Sequence, residues 1–249
     1  MESIFVLTGA GISAESGIQT FRASTGLWEE HRVEDVASPA GFQRNPSLVF
    51  EFYNVRRAKI REASPNAAHL ALARLEEEFS GTVTVVTQNI DDLHERAGSR
   101  NVIHMHGEAM KARCQGCQSI SACENTLDET TRCPACHVVG KLRPHIVWFG
   151  EIPLFMDEIY LALSKADLFI CIGTSGNVYP AAGFAEAASR HGIRTIEVNP
   201  NTTEISGHFD EHQRGPAGVN VAELVDRILV QQKGGLGAGS FSKGDNPRG

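Results

Sequence analysis

The sequence predicts an α/β fold built on a doubly wound parallel sheet. Four short apolar segments rich in β-branched residues have the composition of buried strands, at 3–8, 82–87, 168–173 and 193–198. Helical patterns separate these segments along the chain. Strands that alternate with helices favour a parallel sheet covered on both faces, with ligands bound at the carboxyl ends of its strands.

Five segments have the hydrophobic spacing of amphipathic helices, at 46–62, 66–79, 153–165, 180–191 and 221–232. Four of them have a proline at or just before their first residue: Pro46, Pro65, Pro153 and Pro180. Proline is favoured there because the first N–H groups of a helix have no partner within it.

Two segments interrupt this alternation and predict a smaller domain. Residues 24–63 show helix and loop without a strand pattern, and residues 111–143 are polar and hold five of the six cysteines. We predict a smaller helical and zinc-ribbon domain from these two segments, and the sheet domain from residues 1–23, 64–110 and 144–230. Residues 231–249 contain six glycines in nineteen positions and are predicted to be disordered.

The bulk composition excludes several classes of protein. The chain has 249 residues, is 41% hydrophobic and carries a net charge of −7, so a basic nucleic-acid surface is not expected. No apolar run is long enough to cross a bilayer, and no signal peptide precedes the first strand. We therefore expect a cytoplasmic protein without disulfides, and the sequence does not predict its oligomeric state.

A glycine-rich turn follows the first strand. Gly9, Ala10, Gly11 and Ser13 stand where the chain passes from strand to helix, and free backbone N–H groups there suit a phosphate. The next glycine is Gly17, three positions later than the dinucleotide fingerprint of dehydrogenases requires. The pattern therefore predicts a phosphate site, but not a standard hydride-transferring enzyme.

Polar residues follow the other three strands. They are Gln88, Asn89 and Asp91 after the second, Gly173, Thr174 and Ser175 after the third, and Asn199, Pro200 and Asn201 after the fourth. Asp91 or Asp92 could instead simply begin a helix that ends near Ala97. Together, these strand ends predict a nucleotide that stretches across one edge of the sheet.

Two histidines, His104 and His106, alternate on an extended segment and so face the same side. A neutral imidazole near pH 7 is a suitable general base, and we assign that role to His106. His104 is interpreted as a structural histidine, and His69, inside a helix, as a packing residue.

The cysteines have the spacing of a zinc site. Cys114 and Cys117 form one Cys-x-x-Cys pair, and Cys133 and Cys136 form a second pair fifteen residues later. Four thiolates close a tetrahedral Zn²⁺ site and leave no open position for chemistry. Cys123 is predicted to stay unliganded and Cys171 to lie in the core.

These motifs together resemble the sirtuins, the NAD-dependent protein lysine deacylases. The shared motifs are Gly9-Ala-Gly-Ile-Ser13 with Phe21-Arg22, Thr87-Gln-Asn-Ile-Asp91, His106-Gly107, the two cysteine pairs, Gly173-Thr-Ser175 and Val198-Asn199. They occur in family order from residue 3 to about residue 230. The chain looks most similar to the bacterial CobB type, on the segments Arg143-Pro-His-Ile-Val-Trp-Phe-Gly-Glu151 and Val178-Tyr-Pro-Ala-Ala-Gly183.

The resemblance implies a Rossmann-like large domain that binds NAD as co-substrate and a small domain with one structural zinc. It implies that the NAD phosphates and the mobile cofactor loop are lined by Gly9, Ala10, Gly11, Ser13, Thr20, Phe21 and Arg22. The nicotinamide ribose and carboxamide would be held by Gln88, Asn89, Ile90 and Asp91. The adenosine end would be held by Gly173, Thr174, Ser175, Asn199, Pro200, Asn201 and Ala217. Val147 and Phe149 would flank the tunnel for the acyl-lysine, and residues 147–151 would pair with the substrate backbone.

Two features distinguish this chain within the resemblance. Many sirtuins have Pro-Asp before the Phe-Arg pair, where this chain has Gln19-Thr20. Tyr53 and Arg56 resemble the Tyr-x-x-Arg motif of the subclass that accepts acidic acyl groups. At i and i+3 on a helix they share a face, where a guanidinium and a phenol can bind a carboxylate. The alternative is a solvated arginine beside a packed tyrosine.

The implied function is removal of acyl groups, acetyl and succinyl among them, from lysines of proteins. The implied products are free lysine, nicotinamide and O-acyl-ADP-ribose. Two alternatives remain: NAD-dependent ADP-ribosyl transfer to a protein, and a non-catalytic zinc-ribbon module that senses a nucleotide.

Overall fold

The computed structural model describes residues 1–19, 27–28 and 31–237 of the chain. Its strands are β1 (Ser3–Thr8), β2 (Leu27–Trp28), β3 (His31–Arg32), β4 (Thr82–Thr87), β5 (Val102–His104), β6 (Gly107–Cys114), β7 (Ile120–Ala122), β8 (Leu142–Ile146), β9 (Leu168–Ile172), β10 (Arg194–Val198) and β11 (Glu211–Gln213). Its α-helices are α1 (Ala10–Ser13), α2 (Val33–Val36), α3 (Pro39–Arg44), α4 (Pro46–Glu62), α5 (Ala67–Glu78), α6 (Leu93–Ala97), α7 (Met156–Ser164), α8 (Ala182–Arg190) and α9 (Ala217–Gly237).

Six strands form one parallel sheet in the order β11-β10-β9-β1-β4-β5. The α/β class and its parallel sheet are therefore confirmed. The four predicted strands are the four central ones, and the prediction missed both edge strands, β5 and β11. Each edge strand has only three residues, and β11 is entirely polar, so neither has the apolar run of a buried strand.

Successive residues of β1 point to opposite faces of the sheet, and each face is buried. Ile4 and Val6 pack in one cluster with residues of α5 and α9, whereas Phe5 and Leu7 pack in another with residues of α7 and α8. This alternation is the two-residue period of a strand covered on both sides. Because both faces are covered by helices, only the ends of the strands are available for a ligand.

The predicted helices are present, with some boundaries displaced. Helix α4 begins at Pro46, and the side chain of Asn45 caps it by accepting from the Leu48 N–H at 3.2 Å. Helix α7 begins at Met156, three residues after Pro153. Helix α9 starts earlier and ends later than predicted. As a result, residues 231–237, which we expected to be disordered, are helical, while residues 238–249 lie outside the described part.

A second, antiparallel sheet in the order β7-β6-β8 carries the cysteines. Helix α4 packs on this sheet, with Phe50 against Ala112 and Leu142. Strands β6 and β8 extend past residues 111 and 143, where we placed the domain boundaries, so continuous strands join the two parts. The region predicted to lack strands contains the two-residue pair β2 and β3. Among the described residues, no helix is long and apolar enough to cross a membrane.

Candidate active site

A cleft of about 1100 Å³ opens at the carboxyl ends of the parallel strands and reaches the small antiparallel sheet. Apart from the four cysteines, every predicted site residue that lies in the described part of the chain lines this cleft. These residues are Gly9, Ala10, Gly11, Ser13, Tyr53, Arg56, Gln88, Asn89, Ile90, Asp91, His106, Val147, Phe149, Gly173, Thr174, Ser175, Asn199, Pro200, Asn201 and Ala217. Thr20, Phe21 and Arg22 lie outside the described residues.

The turn after β1 packs directly on the turn after β9. The Gly11 N–H donates to the Gly173 carbonyl oxygen at 2.7 Å, and a Cβ at Gly11 would lie 2.6 Å from the Gly173 Cα. Gly173 itself has a φ of +62°, which favours glycine. The helix that follows Gly9 is only four residues long, so we attribute any phosphate binding here to the close approach of the turn's backbone rather than to a helix dipole.

A buried network of polar side chains joins the strand ends. The Asn89 amide donates to the Gly9 carbonyl at 3.2 Å and to the Ser13 hydroxyl at 3.1 Å, and Ser13 donates to Asp91 at 3.0 Å. Burial raises the pKa of Asp91. Because each of these side chains is held by another, the network fixes the polar floor of the cleft before any ligand arrives.

A second pair of contacts orders the other side of the floor. Gln88 donates through its side-chain amide to the Thr174 hydroxyl at 3.0 Å, and Asn199 donates to the Thr174 carbonyl at 2.8 Å. Three strand ends, those of β4, β9 and β10, are thereby linked. The structure brings together the polar strand ends that the sequence predicted to meet at one edge.

His106 lies beside this floor with its ring held by the backbone. Its Nδ1 lies 3.1 Å from the carbonyl oxygen of Gln88. A carbonyl can only accept, so Nδ1 carries a proton, and in the neutral ring Nε2 keeps its lone pair. Burial lowers the pKa of His106, which favours this neutral form at pH 7. The ring is therefore in the state that a general base needs.

The two other histidines singled out by the sequence are buried. His69 packs edge-to-face on His94, with ring centroids 4.9 Å apart, which confirms the packing role predicted for it. His104 makes a 2.7 Å ion pair with Glu95 through its Nε2 atom. Glu95 belongs to the short helix α6, which follows Asp92, while Asp91 also accepts from the Leu93 N–H at 3.3 Å. Asp91 therefore both supports the start of α6 and lines the cleft.

Tyr53 and Arg56 project from α4 into the same end of the cleft. Both are buried, at 1% and 5% exposure, so the alternative of a solvated arginine is wrong. The Arg56 guanidinium lies 4.1 Å from the centre of the Trp28 ring, a cation–π geometry. Burial raises the pKa of Tyr53 far above its ordinary value, so the phenol keeps its proton. A guanidinium and a phenol O–H thus share one buried corner of the cleft.

The segment after β8 forms the opposite rim. Arg143 binds both carboxylate oxygens of Glu151, at 2.7 and 3.0 Å, and Glu151 accepts from the Trp148 N–H at 2.8 Å. The Arg143 guanidinium lies 3.3 Å from the centre of the Trp148 ring. These contacts hold the segment that contains Val147 and Phe149, and Phe149 is 47% exposed at the rim.

The four cysteines of the two Cys-x-x-Cys pairs meet in one place. Their Sγ atoms all lie within 4.8 Å of one another, and the Cys114–Cys136 and Cys117–Cys133 pairs are both 3.8 Å apart. Four thiolates around Zn²⁺ at 2.3 Å would be about 3.8 Å apart in a tetrahedron, so the donor set fits zinc. Cys123 is not part of the cluster, and Cys171 is buried in the sheet core, as the sequence predicted.

Sequence reasoning missed several residues that build the cleft. Trp28 and Trp148 form aromatic walls, Ile60 and Ile146 supply apolar surface, and Glu15 accepts from the Gly218 N–H at the start of α9. A signal was available for Trp148, which stands between the predicted site residues Val147 and Phe149. The others come from segments whose meeting depends on the tertiary fold.

Comparison with known proteins identifies the family. A profile of the Sir2 family matches residues 9–180. The chain is 60% identical over 232 residues to the NAD-dependent protein deacylase of Vibrio parahaemolyticus, covering 92% of this chain and 95% of that protein. It is 55% identical over 241 residues to the NAD-dependent protein deacylase of Escherichia coli K12, covering 96% and 85%. A crystal structure of a Sir2 homologue–NAD complex superposes with a TM-score of 0.82 at 40% identity, covering 92% of this chain and 90% of that one. The chain belongs to the Sir2 family, the sirtuins.

Proposed function

We propose that this chain is an NAD-dependent protein lysine deacylase that uses His106 as its general base and acts on acidic acyl groups as well as acetyl. The observation that carries the proposal is the ring of His106, which is fixed by the Gln88 carbonyl with its Nε2 lone pair available at the cleft floor. The similarity to proteins named NAD-dependent protein deacylases supports the same reaction.

NAD fits the cleft as co-substrate because its parts match the three groups of residues that line it. The N–H groups of Gly9 and Gly11 donate to the carbonyls of Ile172 and Gly173, so the turn would meet the pyrophosphate with a close backbone surface that lacks bulky side chains and with the N–H of Ala10. The adenosine end would lie beyond it, against residues of the β9, β10 and α9 ends: Gly173, Thr174, Ser175, Asn199, Pro200, Asn201 and Ala217. The nicotinamide riboside would lie over Gln88, Asn89, Ile90 and Asp91. We assign Thr20, Phe21 and Arg22 to the cofactor loop on the family resemblance alone.

His106 would act on a ribose hydroxyl of the bound co-substrate. NAD supplies a ribose carbon activated by the departure of nicotinamide, and the acyl group is finally transferred to a ribose hydroxyl. The role of His106 is to accept the proton of that hydroxyl at Nε2, while the Nδ1–H bond to Gln88 holds the ring in place. In balance, acyl-lysine, NAD and one water would give free lysine, nicotinamide and O-acyl-ADP-ribose.

The acylated lysine would enter along the rim formed after β8. Val147 and Phe149 line the cleft there, and their backbone N–H groups already donate to the His106 and Ala37 carbonyls, both at 2.9 Å. These two bonds hold Val147 and Phe149 beside the opening, and the Glu151 N–H closes a turn after them by donating to the Trp148 carbonyl at 2.9 Å. We assign pairing with the substrate backbone to residues 147–151 on the family resemblance alone.

The buried corner of Tyr53 and Arg56 supports recognition of an acidic acyl chain. The Arg56 guanidinium and the Tyr53 hydroxyl line the same end of the cleft, and a guanidinium can bind a carboxylate on the acyl group in bidentate form. The Tyr53 hydroxyl accepts from the Trp148 indole at 3.0 Å, which leaves its own proton for donation to the same carboxylate. Succinyl and malonyl groups have this carboxylate, and an acetyl group does not.

Mass spectrometry tests the proposal directly. Acetyl-lysine and succinyl-lysine peptides incubated with the enzyme should lose the acyl mass only when NAD is present, and His106→Ala should slow the reaction by about 10²–10⁴-fold. Gain of an ADP-ribose mass on the peptide would indicate ADP-ribosyl transfer instead. Unchanged peptides with intact NAD would indicate a nucleotide-binding module. Normal turnover by a folded His106→Ala protein would contradict the role of His106.

A further inference from the structure

The segment that carries the nicotinamide-side residues is held by four successive carbonyl contacts. The Thr87 carbonyl accepts from the Met105 N–H at 3.1 Å, and the Ile90 carbonyl accepts from the Ala109 N–H at 2.8 Å. Between them, the Gln88 carbonyl faces His106 Nδ1 and the Asn89 carbonyl faces His104 Nδ1 at 3.4 Å. Two of the four contacts therefore depend on the protonation of histidine rings.

His104 differs from His106 in what its second nitrogen meets. Its Nε2 atom lies 2.7 Å from a Glu95 carboxylate oxygen, while its Nδ1 faces the Asn89 carbonyl. Both partners can only accept, so both ring nitrogens must carry protons for both bonds to exist. The arrangement thus calls for a buried imidazolium, stabilised by the Glu95 carboxylate.

We propose that His104, kept as an imidazolium by Glu95, is a positioning residue that holds Asn89 in the orientation needed to bind NAD. The proposal rests on the proposed function, because Asn89 matters only if NAD occupies this cleft. Asn89 is the side chain that ties the cleft floor together, since its amide donates to both Gly9 and Ser13. A shift of its backbone would move these contacts and the adjoining Gln88 together.

The charges that face His104 agree with this state. Glu95 on α6 and Glu108 on β6 raise its pKa and, together with the Asn89 contact, outweigh the opposing effect of burial. Asp91 is a third acidic group within electrostatic reach, and Lys111 acts on Glu95. His94 is also close, but its own pKa is lowered to about 3, so it adds no positive charge at neutral pH.

Loss of one proton from His104 would break its hydrogen bond to the Asn89 carbonyl and keep its bond to Glu95. The Nε2–H bond is short and meets a full negative charge, whereas the Nδ1–H bond is longer and meets a neutral carbonyl. The proton is therefore lost from Nδ1, and the resulting lone pair faces the Asn89 carbonyl oxygen. The affinity for NAD should then fall as the pH rises past the raised pKa of His104.

Two isosteric variants separate the two contacts. In His104→Asn the amide nitrogen takes the place of Nδ1 and can still donate to Asn89, although it cannot reach Glu95. In His104→Gln the amide nitrogen takes the place of Nε2 and can donate to Glu95, but Asn89 loses its donor. Each variant keeps one of the two hydrogen bonds and loses the other. Thermal melting and zinc content of both variants show whether either one has lost structure in general.

The measurement is the dissociation constant for NAD, obtained by titration calorimetry on the full zinc-loaded chain between pH 6 and pH 9. At pH 6, below the ordinary pKa of a histidine, we expect His104→Gln to bind NAD about two- to tenfold more weakly than wild type, the range of one neutral hydrogen bond, and His104→Asn to restore the wild-type affinity. The wild-type affinity should fall toward pH 9, whereas His104→Asn should show no such fall, since an amide has no proton to lose in this range.

Equal affinities for the two variants, or a wild-type affinity that does not change with pH, would overturn the proposal. So would melting temperatures that fall in both variants with no change in NAD affinity, because His104 would then be purely structural. A difference between the variants in NAD binding without any deacylation by wild type would leave this inference standing and refute the proposed function. Deacylation by wild type, together with equal NAD affinities of the two variants, would support the proposed function and overturn this inference.

Discussion

The indole N–H of Trp148 donates a 3.0 Å hydrogen bond to the hydroxyl of Tyr53. Tyr53 belongs to α4 beside the small sheet, and Trp148 belongs to the rim after β8, so the bond joins two walls of the cleft. Both side chains are almost fully buried, at 1% and 2% exposure. The tyrosine therefore has two roles, since it satisfies a buried donor and presents its own proton to the cleft.

Replacing Tyr53 by phenylalanine should destabilise the protein. The Trp148 N–H would lose its acceptor in a buried place, which costs about 1–3 kcal/mol of the free energy of unfolding. Denaturant unfolding of wild type and Tyr53→Phe measures this loss. Tyr160→Phe is the matched control, because Tyr160 is 50% exposed, and that change should have little effect. Equal stabilities of Tyr53→Phe and wild type would contradict the structural role of the bond.

Replacing Arg56 by methionine should weaken removal of acidic acyl groups selectively. A charge-assisted hydrogen bond contributes about 1.5–3 kcal/mol, so kcat/KM for a succinyl-lysine peptide should fall about ten- to a hundredfold. Deacetylation should fall far less, because the acetyl group has no carboxylate. The measurement is kcat/KM for matched acetyl and succinyl peptides, and an equal loss for both would mean that Arg56 is only structural.

The control for this experiment has to come from elsewhere on α4. From the sequence, Arg57 looks suitable because it points about 100° away on the helix. In the structure Arg57 is 1% exposed and donates to the Ala109 carbonyl at 2.9 Å and to Asn54 at 2.7 Å, so its loss would damage the fold. Lys59 is exposed on the same helix, and Lys59→Met should leave the ratio of the two activities unchanged.

The comparison of Arg56 with Arg57 illustrates what the sequence can predict. Central strands such as β1 and β9 were predictable because burial on both faces demands a continuous apolar run. The edge strands β5 and β11 were not, since each is defined by a neighbour's hydrogen bonds rather than by its own composition. Burial of a charged residue is equally hard to predict, because no local pattern shows that the Ala109 carbonyl will face Arg57.

The residues of the candidate site also separate into those that a local pattern predicts and those that only the fold defines. The cysteine pairs and the polar strand ends were predictable because metal geometry and parallel topology bring such residues together wherever they occur. The role of His104 was not, because a local pattern cannot show that Glu95, on a helix of only five residues, lies 2.7 Å from its ring. Likewise the aromatic wall formed by Trp148 depends on its ring packing against Arg143, which only the folded chain defines.

The buried pair His69 and His94 should make the protein lose stability in mild acid. Burial lowers their pKa values to about 4 and about 3. Between these values and 6.5 the unfolded state binds protons that the native state does not, so the free energy of unfolding falls as the pH falls. Each ring contributes up to about 1.4 kcal/mol per pH unit. The free energy of unfolding measured at intervals between pH 7 and pH 5 tests this slope.

The variant His94→Gln assigns that slope to a residue. Its amide nitrogen replaces Nε2, which lies 3.0 Å from the Thr8 hydroxyl, so the contact with β1 is kept while the titrating ring is removed. The slope should become shallower by about 1.4 kcal/mol per pH unit. An unchanged slope in His94→Gln would refute the assignment, and comparing variants cancels the contributions of other titrating groups.

The last prediction concerns the four-cysteine cluster, which should hold one zinc ion per chain. Cys114→Ser or Cys133→Ser should lose the metal and much of the stability together, because zinc binding is coupled to folding. Metal analysis and thermal melting measure the two losses. Cys123→Ser is the matched control, since Cys123 lies between the pairs in sequence but outside the cluster, and it should keep its zinc.

The zinc is also expected to be remote from the chemistry, because four thiolates leave it no open position and none of them lines the cleft. A chain that is folded and fully active without metal would show that the cluster is not a structural zinc site.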